Sequence, residues 1–234
     1  MKVFKFISIF LKSIFHKKIS YSYAGVDSLV INIFKDRKKG FYVDIGCGHP
    51  IKNNNTYLLN KLNWFGINID LDKENINLFN IYRKNDHNVC AAISDRIGKT
   101  DLFFYHSKSA INTINKQNSD YQKAKVSNIK KIDTTTLNNI LENSIYNKLE
   151  IDFLSIDIEG SELLALKNFN FEKYKPKVIV IEYLDLSLPA LEIKNLNILS
   201  AINSKIYKLL LENNYTLVNM LHSDLVFVRN DFRD

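Results

Sequence analysis

The chain has 234 residues, 46% hydrophobic and 24% charged, which suits one soluble α/β domain with a sizeable core. Two cysteines, Cys47 and Cys90, are too few for a disulfide framework and have no metal-ligand spacing, so a reducing compartment, the cytoplasm, is expected. Five of the 32 basic residues lie in residues 1–20, which contain no acid, and this leaves 27 basic against 25 acidic residues elsewhere. The body therefore offers no basic face for nucleic acid, although the net charge is +7.

Residues 1–20 form a basic amphipathic arm, which we separate from a domain spanning 21–234. The apolar residues of the arm recur at helical spacing beside its lysines: Val3, Ile7, Phe10, Leu11 and Ile14. Such a helix would either contact the anionic inner face of a membrane or pack on its own domain or a partner subunit. The sequence leaves both alternatives open. The apolar run is too short to span a bilayer and lacks a small-residue cleavage pattern.

After the arm, helix and strand patterns alternate as in an α/β fold with parallel strands. Helices are predicted over 26–34, 56–62, 73–83, 134–142, 162–166 and 196–212, and strands over 41–45, 65–69, 88–92, 102–105, 152–157 and 177–182. The polar segment 107–128 is too long for an ordinary connection and is expected to be a lid, a binding loop or disordered. Strands 215–219 and 225–228 are so close in sequence that they must be antiparallel. The prediction is a mostly parallel seven-stranded sheet with a C-terminal antiparallel hairpin.

A turn with two glycines, Gly46 and Gly48, follows the first strand, and Asp70 ends the second strand 22 residues after Gly48. Ligands of open α/β sheets bind beyond the carboxyl ends of the strands, where glycines admit them and an acid binds ribose hydroxyls. A dinucleotide fingerprint needs a third glycine, where this chain has Ile51. A nucleoside without phosphates is therefore favoured, and S-adenosylmethionine (SAM) is the expected cofactor.

Two residues beside this turn have more than one interpretation. Asp44, at the end of the first strand, would contact the methionine amino group, support the turn by a hydrogen bond, or cap the next helix. Ala92 would line the adenine or belong to an ordinary strand end.

Two acids, Asp157 and Glu159, follow the fourth main strand and would face the same side of an extended strand end. Methyl transfer to a hydroxyl needs alignment and removal of the hydroxyl proton, so we predict that both are catalytic. No resident metal is predicted, although a divalent cation held by these acids and a helix-capping role for Glu159 stay open. Alternative bases are His49, His106 and His222.

Three motifs in this order resemble the FkbM-type methyltransferases. The first motif consists of Tyr23-Ala24-Gly25-Val26-Asp27 and residues 39–46, followed by His49-Pro50 and Asn55-Thr56. The second motif is residues 64–70. The third motif is residues 152–160, followed by residues 176–182. The resemblance covers residues 21–228 and leaves the arm outside. Departures are Ser155, where many members have lysine, and Cys47, where alanine is usual.

The resemblance implies a Rossmann-like class I methyltransferase fold and SAM-dependent O-methylation of a sugar or glycan precursor in a bacterium. It adds Asn55 and Thr56 to the expected cofactor-binding residues Asp44, Gly46, Gly48, Asp70 and Ala92. Asp157 is also expected to bind the cofactor, because it lies near the cofactor's expected position at the end of the fourth main strand. The expected partner is a small-molecule or glycan acceptor, and binding to nucleic acid is not expected. The oligomeric state stays open. A nicotinamide-dependent oxidoreductase, a nucleic-acid methyltransferase and a non-catalytic nucleoside-binding module are the competing predictions.

Overall fold

The structure, a computed structural model, describes residues 20–107, 109–122, 124–188 and 195–233. The arm of residues 1–20 lies outside this part apart from Ser20, and so does the helix predicted there. The strands are β1 Phe41–Ile45, β2 Phe65–Asp70, β3 His87–Cys90, β4 Ala92–Ile93, β5 Gly98–Phe104, β6 Asn128–Thr135, β7 Phe153–Ile156, β8 Val178–Glu182, β9 Tyr215–Leu221 and β10 Asp224–Arg229. The helices are α1 Val26–Ile33, α2 Tyr57–Lys61, α3 Lys73–Tyr82, α4 Lys116–Tyr121, α5 Leu137–Glu142, α6 Glu162–Leu166, α7 Phe171–Tyr174, α8 Ile198–Asn203, α9 Lys205–Glu212 and α10 Asn230–Arg233.

Seven strands form the main sheet in the order β3-β2-β1-β7-β8-β10-β9. The first five are parallel, whereas β10 runs antiparallel to both β8 and β9. The chain builds outward from β1 through β2 to β3 and then returns to place β7 on the other side of β1. This reversal of strand order creates a crevice at the carboxyl ends of β1 and β7, where ligands of such sheets bind. The fold is the predicted Rossmann-like class I methyltransferase fold.

The central strands are buried on both faces because helices cover the sheet from both sides. Along β1, Phe41, Val43 and Ile45 join one hydrophobic core, and Tyr42 between them joins the other. All five residues of β1 and of β8 are buried. Each large apolar side chain buried in this way stabilises the fold by roughly 1.5–3 kcal/mol, so the strand ends are held rigidly at the crevice.

The structure corrects two predicted strands. Residues 88–92 do not form one strand: β3 ends at Cys90, and β4 leaves the main sheet to pair with β6 in a second sheet of order β4-β6-β5. Strand β5 begins at Gly98, four residues before the predicted strand 102–105, and ends at Phe104.

Two predicted helices are also corrected. Thr134 and Thr135 belong to β6, and helix α5 begins after Thr136, whose hydroxyl accepts a hydrogen bond from the Asn139 amide at 3.1 Å. The long helix 196–212 is two helices separated at Ser204, which caps the second through the Tyr207 amide at 3.1 Å. In both cases a side-chain cap sets the boundary. None of the helices that the structure describes is long and apolar enough to cross a membrane.

Candidate active site

A cavity of about 510 Å³ opens at the carboxyl ends of the central strands, a volume in the usual range for a small-molecule site. It collects most of the predicted site residues in one place: Gly46, Gly48, Asn55, Asp70, Ala92, Asp157 and Glu159 all line it. Asp44 and Thr56 do not line it.

The two glycines of the turn after β1 have different tasks. Gly46 has φ 75°, and a Cβ there would lie 1.7 Å from the carbonyl oxygen of Asp157, so any side chain would push β1 and β7 apart. Gly48 has φ 57°, and a Cβ there would meet only the Gly46 oxygen, at 3.9 Å. Gly46 thus permits the packing of the two strands, and Gly48 leaves bare backbone toward the cavity.

Asp70 fastens the same turn to the end of β2. Its carboxylate accepts hydrogen bonds from the backbone amides of Gly48 at 2.8 Å and Asp72 at 2.7 Å, and from the Asn75 amide group at 3.3 Å. A carboxylate has about four acceptor positions, so one remains for a ligand hydroxyl. Burial raises the pKa of Asp70 to about 6, and the nearby Asp72 charge adds to the effect.

Asp44 and Thr56 lie behind the cavity wall in a buried polar network. The Thr56 hydroxyl donates to Asp44 at 2.8 Å, and the Asn54 amide donates to Asp44 at 3.2 Å. The guanidinium of Arg83 donates to the Thr56 hydroxyl at 2.7 Å and to the Pro50 carbonyl at 2.6 Å. Of the alternatives for Asp44, this geometry matches the supporting hydrogen bond.

Arg83 is a residue of this site that the sequence analysis missed. Its side chain is almost fully buried, and it bonds the chain after the glycine turn through Pro50 and Asn54. An arginine at the end of a predicted helix usually lies in solvent, so no sequence signal separates this one from the others. Burial of its guanidinium among neutral acceptors marks it as the residue that holds the turn from behind.

Three carboxylates converge on the opposite wall of the cavity. One oxygen each from Asp157, Glu159 and Glu182 lie within 4.8 Å of one another, and Asp224, the register partner of Glu182, also lines the cavity. Burial raises the pKa of Glu159 to about 8, with further repulsion from the Asp157 charge. Burial, again assisted by Asp157, raises the pKa of Asp224 to about 7. Among the described residues, no lysine or arginine forms an ion pair with these acids.

Glu159 has a strained backbone, with φ at 56° in the left-handed region that favours glycine. It therefore does not continue an extended strand, and its carboxylate meets that of Asp157 through this turn. Glu159 does not cap the following helix, whose N-cap is Ser161 and which has no side-chain cap hydrogen bond. Glu162 instead accepts hydrogen bonds from the amides of Ile158 at 2.9 Å and Gly160 at 3.0 Å and so holds the turn, and Glu159 lines the cavity.

The sequence left open whether the polar segment 107–128 is a lid, a binding loop or disordered. Ser109, Ala110, Asn112 and Ile114 of this segment line the cavity, and we call its described part the lid. The segment is fastened to the acidic turn because Thr113 donates to the Glu159 carbonyl at 2.8 Å, Asn118 donates to the same carbonyl at 2.5 Å, and Asn115 donates to the Gly160 carbonyl. Helix α4 within it was not predicted.

The three histidines differ in their relation to the cavity. His49 lines it, but its Nδ1 accepts from the amides of Ile51 and Lys52, both at 3.1 Å, so this nitrogen is occupied as a turn cap. His222 lines it from the hairpin turn, where its ring packs edge-on against Tyr23 at 5.4 Å between centroids. His106 is exposed and does not line it.

A model of the methyltransferase FkbM domain matches residues 32–217. Among solved structures, the chain is similar to a TehB-like SAM-dependent methyltransferase from Corynebacterium glutamicum, with 11% identity, a TM-score of 0.43 and coverage of 93% of this chain and 92% of that one. It is also similar to monomeric WbdD, with 9% identity, a TM-score of 0.43 and coverage of 92% of this chain but 42% of that one. No curated protein matches the sequence.

Proposed function

Because the chain belongs to the FkbM methyltransferase family, we propose that its cavity binds SAM and that the enzyme methylates a hydroxyl of a sugar or glycan precursor. Family membership removes the basis for predicting a nicotinamide-dependent oxidoreductase, because that class of enzyme shares only the first glycine turn with this chain. The acceptor and the cytoplasmic setting in a bacterium are part of the proposal; two free cysteines, one buried and one exposed, accord with a reducing compartment.

The residues of the cavity suit SAM. The bare backbone at Gly48 admits a ligand to van der Waals contact, and the remaining acceptor position of Asp70 suits a ribose hydroxyl. Ala92 and Ile93 add small apolar surface for a base. When bound, SAM supplies a methyl group on a positively charged sulfur, and the carboxylates of the opposite wall complement that charge.

The observation that carries the proposal is that the glycine turn and the acid pair Asp157 and Glu159 share one cavity. A protein that only binds a nucleoside needs the first but not the second. Holding a glutamate in the left-handed region costs about 1–3 kcal/mol, a strain that concentrates at functional sites. We assign to this pair the task of receiving the proton of the acceptor hydroxyl.

The remaining lining of the cavity supports a hydroxyl-rich acceptor. His49, Lys52, Asn53 and His222 present polar groups, and Tyr23 offers an exposed aromatic surface beside His222. Hydrogen-bonding groups next to an aromatic face suit a sugar ring, which has polar edges and apolar faces. The near-neutral body argues against nucleic acid as acceptor.

A transfer assay with tritium-labelled methyl SAM tests this function. We expect label to enter extracted cell-surface glycans or their nucleotide-sugar precursors and to survive mild alkali, because a methyl ether resists the hydrolysis that removes a methyl ester. Label found only in protein or nucleic acid, or an alkali-labile product, would overturn the proposed acceptor class. Glu159→Gln is the matched variant that separates enzymatic from background transfer.

A further inference from the structure

The acid cluster consists of Asp157, Glu159 and Glu182, which come from two adjacent strand ends of the sheet. Asp157 and Glu159 follow β7, and Glu182 ends β8, its parallel neighbour. One oxygen of each lies within 4.8 Å of the others, and each residue lines the cavity. Like charges this close repel one another strongly unless a proton or a cation lies between them.

Glu182 provides a second, independent observation. Its side chain is 9% exposed, and its Oε2 atom has no hydrogen-bond partner among the described residues. A buried carboxyl oxygen without a partner is costly, and native proteins satisfy nearly all such groups. This oxygen belongs to a residue that lines the cavity and joins the cluster, so a cation or a proton held between the carboxylates would supply its missing partner.

We propose that Asp157, Glu159 and Glu182 form a binding site for a hard divalent cation such as Mg²⁺ or Mn²⁺. Carboxylate oxygens are the ligands that these ions prefer, and the cavity leaves room for the waters they retain. Oxygens bound to one octahedral Mg²⁺ are about 3 Å apart when adjacent and about 4.2 Å apart when opposite. The three carboxylate oxygens lie within 4.8 Å of one another, so side-chain rotation toward a common centre would complete the site.

The role of the ion rests on the proposed function. At this wall of the cavity it would act as a Lewis acid on the acceptor hydroxyl and orient it toward the donor. The alternative for the same geometry is a proton shared between Asp157 and Glu182, which would hold the pair together without any ion.

Titration of the full-length protein with Mn²⁺, followed by the loss of the free-ion EPR signal, tests the site without any methyl transfer. We expect saturable binding of one Mn²⁺ per chain, competed by Mg²⁺. Glu182→Gln and Asp157→Asn should each weaken binding by about 10-fold or more, the scale on which metal sites respond to altered ligation. Asp72→Asn is the matched control, because Asp72 lines the same cavity outside the cluster and asparagine also caps a helix. It should leave Mn²⁺ affinity unchanged.

Absence of Mn²⁺ binding to folded wild-type protein would overturn the site and favour the shared proton. Equal affinity of wild type, Glu182→Gln and Asp157→Asn would overturn it as well. Circular dichroism checks that each variant is folded, and Glu159→Gln replaces any variant that is not. If Mn²⁺ binds while SAM and its demethylated product do not, the cation site stands and the proposed function fails. If SAM and its product bind while Mn²⁺ does not, the cation site fails and the proposed function stands.

Discussion

Among single residues, we expect Asp70 to link the pH of the solution to nucleoside binding. Its pKa of about 6 lies above the unfolded value because burial disfavours the charge. Without ligand, the folded protein therefore holds an extra proton between the unfolded pKa, about 4, and the folded one. Stability contributed by this group is gained as the pH falls through that window and is lost as the pH rises, which is opposite to an ion-paired aspartate.

A ribose hydroxyl donates to the ionised carboxylate, so we expect nucleoside affinity to follow its ionisation. The dissociation constant of S-adenosylhomocysteine, measured by calorimetry, should be level above pH 7 and rise by about tenfold per pH unit below 6. Asp70→Asn should bind more weakly by about 1–3 kcal/mol and show no such slope. A slope that persists in Asp70→Asn would assign the titration to another group.

Glu159 combines backbone strain with a carboxylate in the cavity, and two replacements separate these properties. Glu159→Gln should keep nucleoside affinity but lower turnover by roughly 10²-fold, the scale of a lost general base. Glu159→Gly should lower turnover similarly while unfolding at a higher temperature, because glycine adopts φ 56° without strain. Turnover and thermal denaturation measure the two effects, and full activity of Glu159→Gln would exclude the proposed role.

Among the elements, the lid holds the acidic turn by hydrogen bonds, and we expect this to support catalysis. Asn118 on α4 is fully buried and donates to both the carbonyl and, at 3.3 Å, the carboxylate of Glu159. We expect Asn118→Ala to lose about 1 kcal/mol of stability and to lower kcat more than it raises the KM for SAM. Gln117→Ala, exposed on the same helix, is the control. Equal kinetics of the two variants would limit the lid to a covering role.

The elements that the sequence predicts well are those whose burial is unambiguous. Strand 41–45 and helix 162–166 have the predicted bounds, because a mostly apolar run that leads into a glycine turn and a short apolar helix admit few alternatives. Strand β6 was missed because its exposed lysines and asparagine hide the period of two, and its two isoleucines are spaced as in a helix. The strand that changes sheets between Cys90 and Ala92 depends on tertiary pairing, which no local pattern encodes.

The candidate site divides in the same way. Gly46, Gly48, Asp70, Asp157 and Glu159 follow strand ends, and the rule that parallel strands direct their carboxyl ends to one edge brings them together. Arg83, Asn118 and Glu182 act through contacts between elements distant in sequence, so spacing alone did not single them out. The residues at predicted strand ends were therefore predictable as a group, whereas Glu182 in the cavity wall and the residues that support the wall from behind were not.

For the molecule as a whole, we propose that the basic arm of residues 1–20 attaches weakly to anionic membranes. Each lysine near an anionic membrane contributes about 1 kcal/mol, so the five lysines of residues 1–20 would suffice for weak, salt-sensitive attachment. We expect the full chain to sediment with anionic liposomes at low salt and to be released at high salt. Replacing these five lysines by glutamine should abolish sedimentation. Equal sedimentation of the variant, or binding to neutral liposomes, would contradict a role in membrane attachment.

Calorimetry with S-adenosylhomocysteine, SAM and NAD⁺ tests whether the cavity at the strand ends binds the methyl donor. We predict that one molecule of either methionine nucleoside binds per chain, that Asp70→Ala weakens both by about 1–3 kcal/mol, and that NAD⁺ gives no heat of binding. Binding of NAD⁺ without binding of either methionine nucleoside would contradict the account.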